Sequence, residues 1–415
     1  MTFHWHRAQR CGFRALAVAC LLFSHAAMAD SDAAMAPKRF ELSGFGTLGV
    51  ARTDTNDTQF IRDQTQQGGI DKSFSSKLDS LIGLQAYFRA SDSLELVTQA
   101  ISRYGPQGDY RPEISWAFAK YNFNPNLSVR AGRMGTEFYL LADSRHVGYS
   151  YLTVRPSVDF FGLLAFHYVD GLDLTGIVPL GEGLLKGKVF AGYSHELAPI
   201  GSEFLNMHGN PMAGGYVDYQ QGHWQWRATM AQMTFKHELP APVSTLRDGL
   251  YLTGVPSAVA AADAIGIKDK TSRFYSVGGV YDRGPLQVQA MLSELRHESA
   301  TYQNSKAGYL LAGYRMGQVT PFVGYSWTKS KEKTLSTGLP PNPLNDYLAA
   351  SLARVHTDQH TYTLGARWDF HRDMALKAQV DMIRGTPQSI FLYPSNTPNF
   401  DGKLNVFSLA LDFVF

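Results

Sequence analysis

Twelve residues, Leu404 to Phe415, constrain the fold of this chain more tightly than any other stretch. Phe407, Leu409, Leu411, Phe413 and Phe415 fall on one side of an extended backbone, and Val406, Ser408, Ala410, Asp412 and Val414 on the other. Period-two alternation over about ten residues is the length and rhythm of a tilted strand that crosses a bilayer. A soluble sandwich can end on such a strand too, so the rest of the sequence must separate the two.

The other end of the chain bears on the compartment. Arg7, Arg10 and Arg14 precede a short apolar core, Ala15 to Phe23, and then Ala27-Met-Ala29. A positive segment, an apolar core and a small-x-small site predict an export signal over residues 1–29, with Ala34-Met-Ala36 as a second cleavage candidate. Both cysteines, Cys11 and Cys20, precede the cut, which excludes disulfides and cysteine-ligated metals from residues 30–415. Removing the three arginines leaves 35 basic residues against 36 acidic, so no basic surplus points to a nucleic-acid partner. No apolar run approaches the roughly 18 residues of a membrane helix. An exported chain with 21 Tyr, 25 Phe and 38 Gly fits a β-barrel, in which only every second residue meets lipid.

Turn chemistry supplies the strand count. Seven tight turns recur, at 90–93, 122–126, 179–183, 220–222, 282–285, 316–318 and 370–373, each rich in Gly, Pro, Asn or Asp. Eight longer polar connections lie between them, near 53–75, 103–111, 135–159, 195–212, 236–271, 298–305, 330–359 and 385–402. Fifteen connections predict about sixteen antiparallel strands, with short turns on one rim and long loops on the other. Trp224, Trp226, Ala228 and Met230 alternate with His223, Gln225, Arg227 and Thr229, and Tyr362, Leu364, Ala366 and Trp368 with Thr363, Gly365 and Arg367. One face is apolar and the other polar, as expected for lipid outside and a wet lumen inside. The stretches 94–102 and 307–316 alternate poorly and leave their register open. Tyr87, Phe88, Tyr121, Phe123, Trp224, Tyr281, Phe322, Trp368 and Phe370 cluster beside the tight turns, as a girdle at the hydrocarbon boundary would.

The third long connection, Gly135 to Phe161, is unusual. An exposed loop has no reason to keep Phe138, Tyr139, Leu140, Leu141, Tyr149, Tyr151 and Leu152. Folding against the inner wall would bury them and hold Asp143, Arg145, His146, Arg155 and Asp159 in the narrow part of a pore.

With these features the chain from residue 30 to 415 resembles the sixteen-stranded porins of Gram-negative bacteria. The resemblance rests on an opening strand Phe40-Glu-Leu-Ser-Gly-Phe-Gly-Thr-Leu-Gly49, the strand Leu127-Ser-Val-Arg-Ala-Gly-Arg133 before the third loop, and the terminal Phe415. It implies a single transmembrane antiparallel β-barrel in the cell outer membrane, with the third loop folded into the lumen. It also implies a homotrimer among outer-membrane lipids and a passive, water-filled channel for small hydrophilic solutes or ions. Asp143 and Asp159 match the acidic loop positions of that family, and Arg89, Arg130, Arg227, Arg367 and Lys377 are candidates for the basic wall. Arg145 and Arg155 join them as constriction candidates on the loop itself. The loop lacks the Pro-Glu-Phe-Gly-type signature of the best-known members. Five basic wall residues against Asp79, Asp369 and Asp381 point to a mild anion preference.

Other signals carry less. Gly44-Phe-Gly-Thr-Leu-Gly49 matches a dinucleotide fingerprint, but a strand end and polar loop follow it instead of a helix, so close packing at the wall is the expectation. His356 and His360 are spaced as metal ligands on a helix, yet no helix or third ligand accompanies them. Residues 257–267 and 343–354 read as short loop helices. An adhesin or receptor barrel and an outer-membrane hydrolase are the alternative readings. No catalytic set, cofactor or metal is expected.

Overall fold

From Phe40 onward the alternation read in the sequence sets the backbone. The computed structural model describes residues 39–140, 142–164, 167–200, 203–387, 392–394 and 400–415, so the expected export signal lies outside the described residues. Strand β1 (Phe40–Thr53) is followed in the first loop by β2 (Thr58–Phe60). Three hairpins come next: β3 (Leu81–Arg89) with β4 (Leu94–Arg103), β5 (Pro112–Asn124) with β6 (Leu127–Gly135), and β7 (Tyr168–Leu180) with β8 (Gly183–Ser194). The fourth loop carries a small hairpin, β9 (Leu197–Ile200) and β10 (Glu203–Asn206). Two further hairpins are β11 (Asn210–Gln221) with β12 (Trp224–Thr234) and β13 (Thr271–Arg283) with β14 (Leu286–His297). The last two are β15 (Ser305–Tyr314) with β16 (Val319–Ser330) and β17 (Asp358–His371) with β18 (Met374–Gly385). In the eighth loop β19 (Leu392–Pro394) pairs with β2, and β20 (Lys403–Val414) returns to β1.

Leaving aside β2, β9, β10 and β19, sixteen strands form one closed antiparallel barrel. Each expected tight turn joins the two strands of a hairpin. Gly222 (φ 56°) and Gly284 (φ 55°) take the left-handed conformation that such turns demand. Closure pairs Phe45 with Val414 and continues in register to Thr53 with Val406. Gly44 and Phe415 then exchange two backbone hydrogen bonds of 2.8 and 2.9 Å. The rings of Phe415 and Phe413 lie where side chains on Gly44 and Gly46 would stand. Close packing is therefore what these glycines serve.

Polarity is inverted relative to a water-soluble protein. Val277 and Leu292 face outward, each more than half exposed, whereas Lys377 and Asp412 on the inner face are fully buried. Rings gather at the short-turn rim, where Trp224 stacks on Trp226 at 5.2 Å and Tyr121 meets Phe123 at 5.1 Å. Two girdle assignments need correction. Phe322 is buried against Gly365, and Tyr87 shares the inner face of β3 with Gln85 and Arg89, because their place in the period-two phase puts them inside. Residues 77–80 belong to the first loop and not to β3, so Asp79 comes from a loop turned into the barrel.

The poorly alternating stretches have a physical cause. In β15 the inward Ala307 and Tyr309 are as apolar as the outward Leu310, and in β4 the inward Val97 and Ile101 are apolar while the outward Thr98 is polar. A one-turn helix in the third loop, Val158–Phe161, was not anticipated, nor was Val243–Leu252, which joins the expected loop helices Pro256–Ile265 and Pro343–Arg354. Leu246, Leu250, Ala262, Leu348 and Leu352 form one buried cluster among the last three. Asn342 caps the helix of the seventh loop by accepting from the Leu344 N–H at 2.8 Å.

Candidate functional site

The third loop runs inside the barrel and reaches its far rim. Tyr149 donates from its hydroxyl to the carbonyl of Arg372 in the short turn between β17 and β18, at 2.8 Å. Apolar contacts hold one side of the loop. Phe138, Tyr139, Leu140 and Phe160 are buried in a cluster with Met212 of β11, Met233 of β12, Phe274 of β13 and Met291 of β14. Each such side chain removed from water contributes on the order of 1.5–3 kcal/mol. The expectation of a wholly polar inner face is thus corrected. One sector of the wall, β11 to β14, is largely apolar, and it seats one side of the loop.

Polar anchors hold the rest, and most run from the wall to the loop's carbonyl oxygens. On β12 Arg227 donates to the Tyr139 carbonyl at 2.6 Å, and on β13 Ser276 donates to the Phe138 carbonyl at 3.1 Å. From β17 the guanidinium of Arg367 donates to the Tyr149 and Tyr151 carbonyls at 2.5 and 2.8 Å. The Lys377 ammonium on β18 donates to the Gly148 and Thr153 carbonyls at 2.7 and 3.0 Å. In the other direction Arg155 of the loop grips Asp79 with two bonds of 2.7 Å and Asp381 with one of 2.8 Å.

The candidate residues therefore do not form a single ring. Arg227, Arg367, Lys377 and Arg155 meet at the seam between loop and wall. Arg130 lies on β6 among Asp173 (2.8 Å), Glu137 (2.7 Å) and Lys188, whose ammonium is also 2.7 Å from Glu137. Arg89 stands apart at the short-turn end of β3. Asp159 is buried, and among the described residues its hydrogen-bond partners are uncharged: Ser326, at 2.7 Å, and Gln359. Burial pushes its carboxyl above the usual range against those hydrogen bonds. The Asp143 side chain lies outside the described residues.

Charge balance across the seam is close. Arg227 is paired with Asp218, Arg367 with Asp369, Lys377 with Asp412 and Arg155 with Asp79 and Asp381. Arg130 and Lys188 share Glu137 and Asp173. Burial alone would raise the Glu137 carboxyl, but Lys188 and Arg130 overrule it and hold that carboxyl well below its usual range. Six basic side chains thus meet seven carboxylates, so this set has no net positive field.

No protein-family model and no curated protein matches the chain. Among solved structures it is similar to the outer-membrane channel DcaP of Acinetobacter baumannii, with a TM-score of 0.54 and 13% identity over 92% of this chain and 100% of that one. It is also similar to OprB of Pseudomonas putida, with a TM-score of 0.56 and 10% identity over 91% of this chain and 94% of that one. An anion-selective porin from Comamonas acidovorans gives 0.53 and 12% over 91% and 99%. The fold is that of the sixteen-stranded porins.

Within this porin fold a second polar cluster, foreshadowed in the sequence only by Arg145 and His146, lies at the long-loop rim. His167, where the third loop rejoins the wall, sits between Glu196 of the fourth loop (2.7 Å) and Arg103 at the end of β4 (2.9 Å). Arg103 is 3.5 Å from Asp63, which Arg62 also pairs at 3.0 Å. Arg145, a constriction candidate, donates to the Tyr139 hydroxyl at 3.0 Å, and the His146 and His167 rings stand 5.6 Å apart. Burial, then Arg103 and Arg145, hold both imidazoles well below their usual range. Burial pushes the Glu196 carboxyl up to about 7. The cluster ties the first, third and fourth loops together. Nothing else in the sequence marks it, since its members are up to 134 positions apart and share no motif.

Proposed function

We propose that this chain is an outer-membrane porin, a passive water-filled channel for small hydrophilic solutes and ions, exported through residues 1–29 and assembled as a homotrimer. The observation that carries the reading is the inverted polarity of a closed barrel. Val277 and Leu292 present apolar surface outward while Lys377, Asp381 and Asp412 are held inside. Only a hydrocarbon exterior makes that arrangement favourable. The loop seated across the lumen supports a constriction built from Arg130, Arg155, Arg227, Arg367 and Lys377.

The close pairing of those cations with carboxylates supports weak charge selectivity more than the mild anion preference expected from the sequence. Trimer formation is supported by an outer patch of small residues on β4 to β6, where Thr98 pairs with Ala117 and Ala119 with Ala131. Small and hydroxyl side chains let membrane-embedded walls approach closely. Purified protein in planar bilayers should give stepwise conductance, with a reversal potential near zero in a salt gradient of equally mobile ions. Absence of conductance from folded protein would defeat the channel reading. Retained monomer migration in detergent would defeat the trimer.

A further inference from the structure

A cavity opens between the inner side of the third loop and the wall of β14 to β18, and its lining is unlike the ion-paired seam around it. The loop contributes Tyr151 and Phe161, and β15 contributes Tyr309, whose ring centre lies 5.6 Å from that of Phe161. The lining also holds Gln289, Thr363 and Gln379, all uncharged, of which Gln379 is engaged by Asp381 and the Val154 N–H. Arg155 and Asp381 are the two charged side chains of the lining, and they bind each other at 2.8 Å, with Asp79 and the Ser408 hydroxyl also bound by the guanidinium. An ion entering here would exchange its hydration shell for groups already committed to each other, which disfavours it strongly. A flat apolar ring can stack on aromatic side chains, a contact worth about 0.5–1.5 kcal/mol beyond area burial.

We infer that this cavity is a subsite for uncharged solutes that carry a flat apolar ring and a hydrogen-bonding edge. The ring lies against Tyr309 and Phe161, and the edge addresses the amide of Gln289 and the oxygen of the Thr363 hydroxyl, whose own hydrogen goes to Asp381 at 2.8 Å. Gln289 suits this role because it is the glutamine of the lining that Asp381 does not engage. The inference deepens the channel reading, on which it rests, by naming the class of solute retained between the third loop and the wall.

Benzamide and benzoate make a matched pair of probes, one neutral and one anionic, and benzylammonium supplies the cation. Two measurements on the full-length protein are needed. One is calorimetric titration in detergent, and the other is block of single-channel current in planar bilayers. Benzamide should bind and block, with either charged analogue weaker by about ten-fold or more, the factor that 1.4 kcal/mol represents. Tyr309→Ala should weaken benzamide by about ten-fold as well, while Tyr309→Phe, which keeps the ring, restores it. Equal affinity for benzoate, or benzamide affinity untouched by Tyr309→Ala in a protein that still conducts, would overturn the subsite. Benzamide binding in detergent by a folded protein that passes no current would instead overturn the channel reading and leave the subsite standing. No calorimetric binding of benzamide would overturn the subsite whatever the conductance.

Discussion

The ring of Phe415 lies over Gly44, occupying the place that a side chain on that glycine would need. The two residues also exchange backbone hydrogen bonds, and the ring of Phe413 stacks beside that of Phe415 at 6.3 Å while covering Gly46 in the same way. The seam between the first and last strands is therefore held by ring-on-glycine contact as well as by the ladder. Gly44→Val should displace the ring and lower the unfolding temperature of the barrel in detergent. Phe415→Ala should act in the same direction with a loss of about 1–2 kcal/mol, since the ring is only partly buried. Heat-dependent gel migration of the two variants checks this, and unchanged migration of both would exclude the closure role.

Arg155 is a fully committed cation of the third loop. Its side chain is 3% exposed, and removing it would leave Asp79 and Asp381 buried together without their shared partner. Breaking such a pair from one side costs about 3–5 kcal/mol. Arg155→Ala should therefore release the loop segment it anchors before the barrel itself opens. The expected signature is faster hydrogen exchange in residues 147–158 and noisier single-channel current, with retained β-sheet circular dichroism. Exchange rates equal to those of the parent protein would remove Arg155 from the anchoring role.

Glu137 offers a test of the charge balance. It sits between Arg130 and Lys188 and accepts from the Tyr216 hydroxyl at 2.7 Å. Glu137→Gln keeps the shape but leaves the two cations to share Asp173. If weak selectivity reflects mutual neutralisation, the chloride-to-potassium permeability ratio should rise by about two-fold. A reversal-potential measurement decides it, and an unchanged ratio would place this cluster outside the conduction path.

Much of this architecture was legible in the sequence because it obeys short-range rules. The seven hairpin turns carry Gly, Pro, Asn or Asp for local reasons, and the alternation of residues 224–230 or 362–368 needs no tertiary information. The third loop announced itself through Phe138, Tyr139 and Leu140, apolar residues with no local use. What stayed hidden was the identity of its seat. Met212, Met233, Phe274 and Met291 lie on inner faces, where an apolar residue looks like an error of phase, and only contact with the loop makes sense of them. The same long-range dependence hid the role of Asp79, which turn patterns placed on a strand but which belongs to a loop that returns to meet Arg155. The helix Val243–Leu252 was missed because Val, Ser, Thr and Gly are weak helix formers, and burial of Leu246 and Leu250 overrides that preference.

Position 277 separates a lipid-facing wall from a water-facing one. Val277 lies mid-strand on the outer face of β13, and an arginine placed there near the bilayer midplane costs about 2–4 kcal/mol. Gln225, on the inner face of β12, provides the control, because an arginine there meets water. Val277→Arg should fold poorly into lipid vesicles while Gln225→Arg folds like the parent. Equal folding yields would contradict a hydrocarbon exterior at β13.

Glu196 gives the long-loop rim a dependence on pH. Its carboxyl faces His167 directly and lies near Arg103, Arg145 and Glu113, with Asp63 and His146 in the same cluster. Burial raises it from 4.5 to about 7, so the folded protein holds this proton more tightly than the unfolded chain does. Its contribution to stability is therefore complete below about 4.5 and disappears as pH rises through about 7. The two imidazoles act in the opposite sense, because their depressed values favour the fold above their usual range and lose that benefit as pH falls. Comparison with Glu196→Gln isolates the carboxyl, since the variant retains both histidines. The stability of the parent relative to Glu196→Gln should be highest near pH 4.5 and decline steadily to pH 7.5, read from thermal unfolding or from exchange at residues 167 and 168. A parent-to-variant difference that stays flat across this range, or that grows with pH, would show that Glu196 is ionised throughout and that the rim is held by its charge.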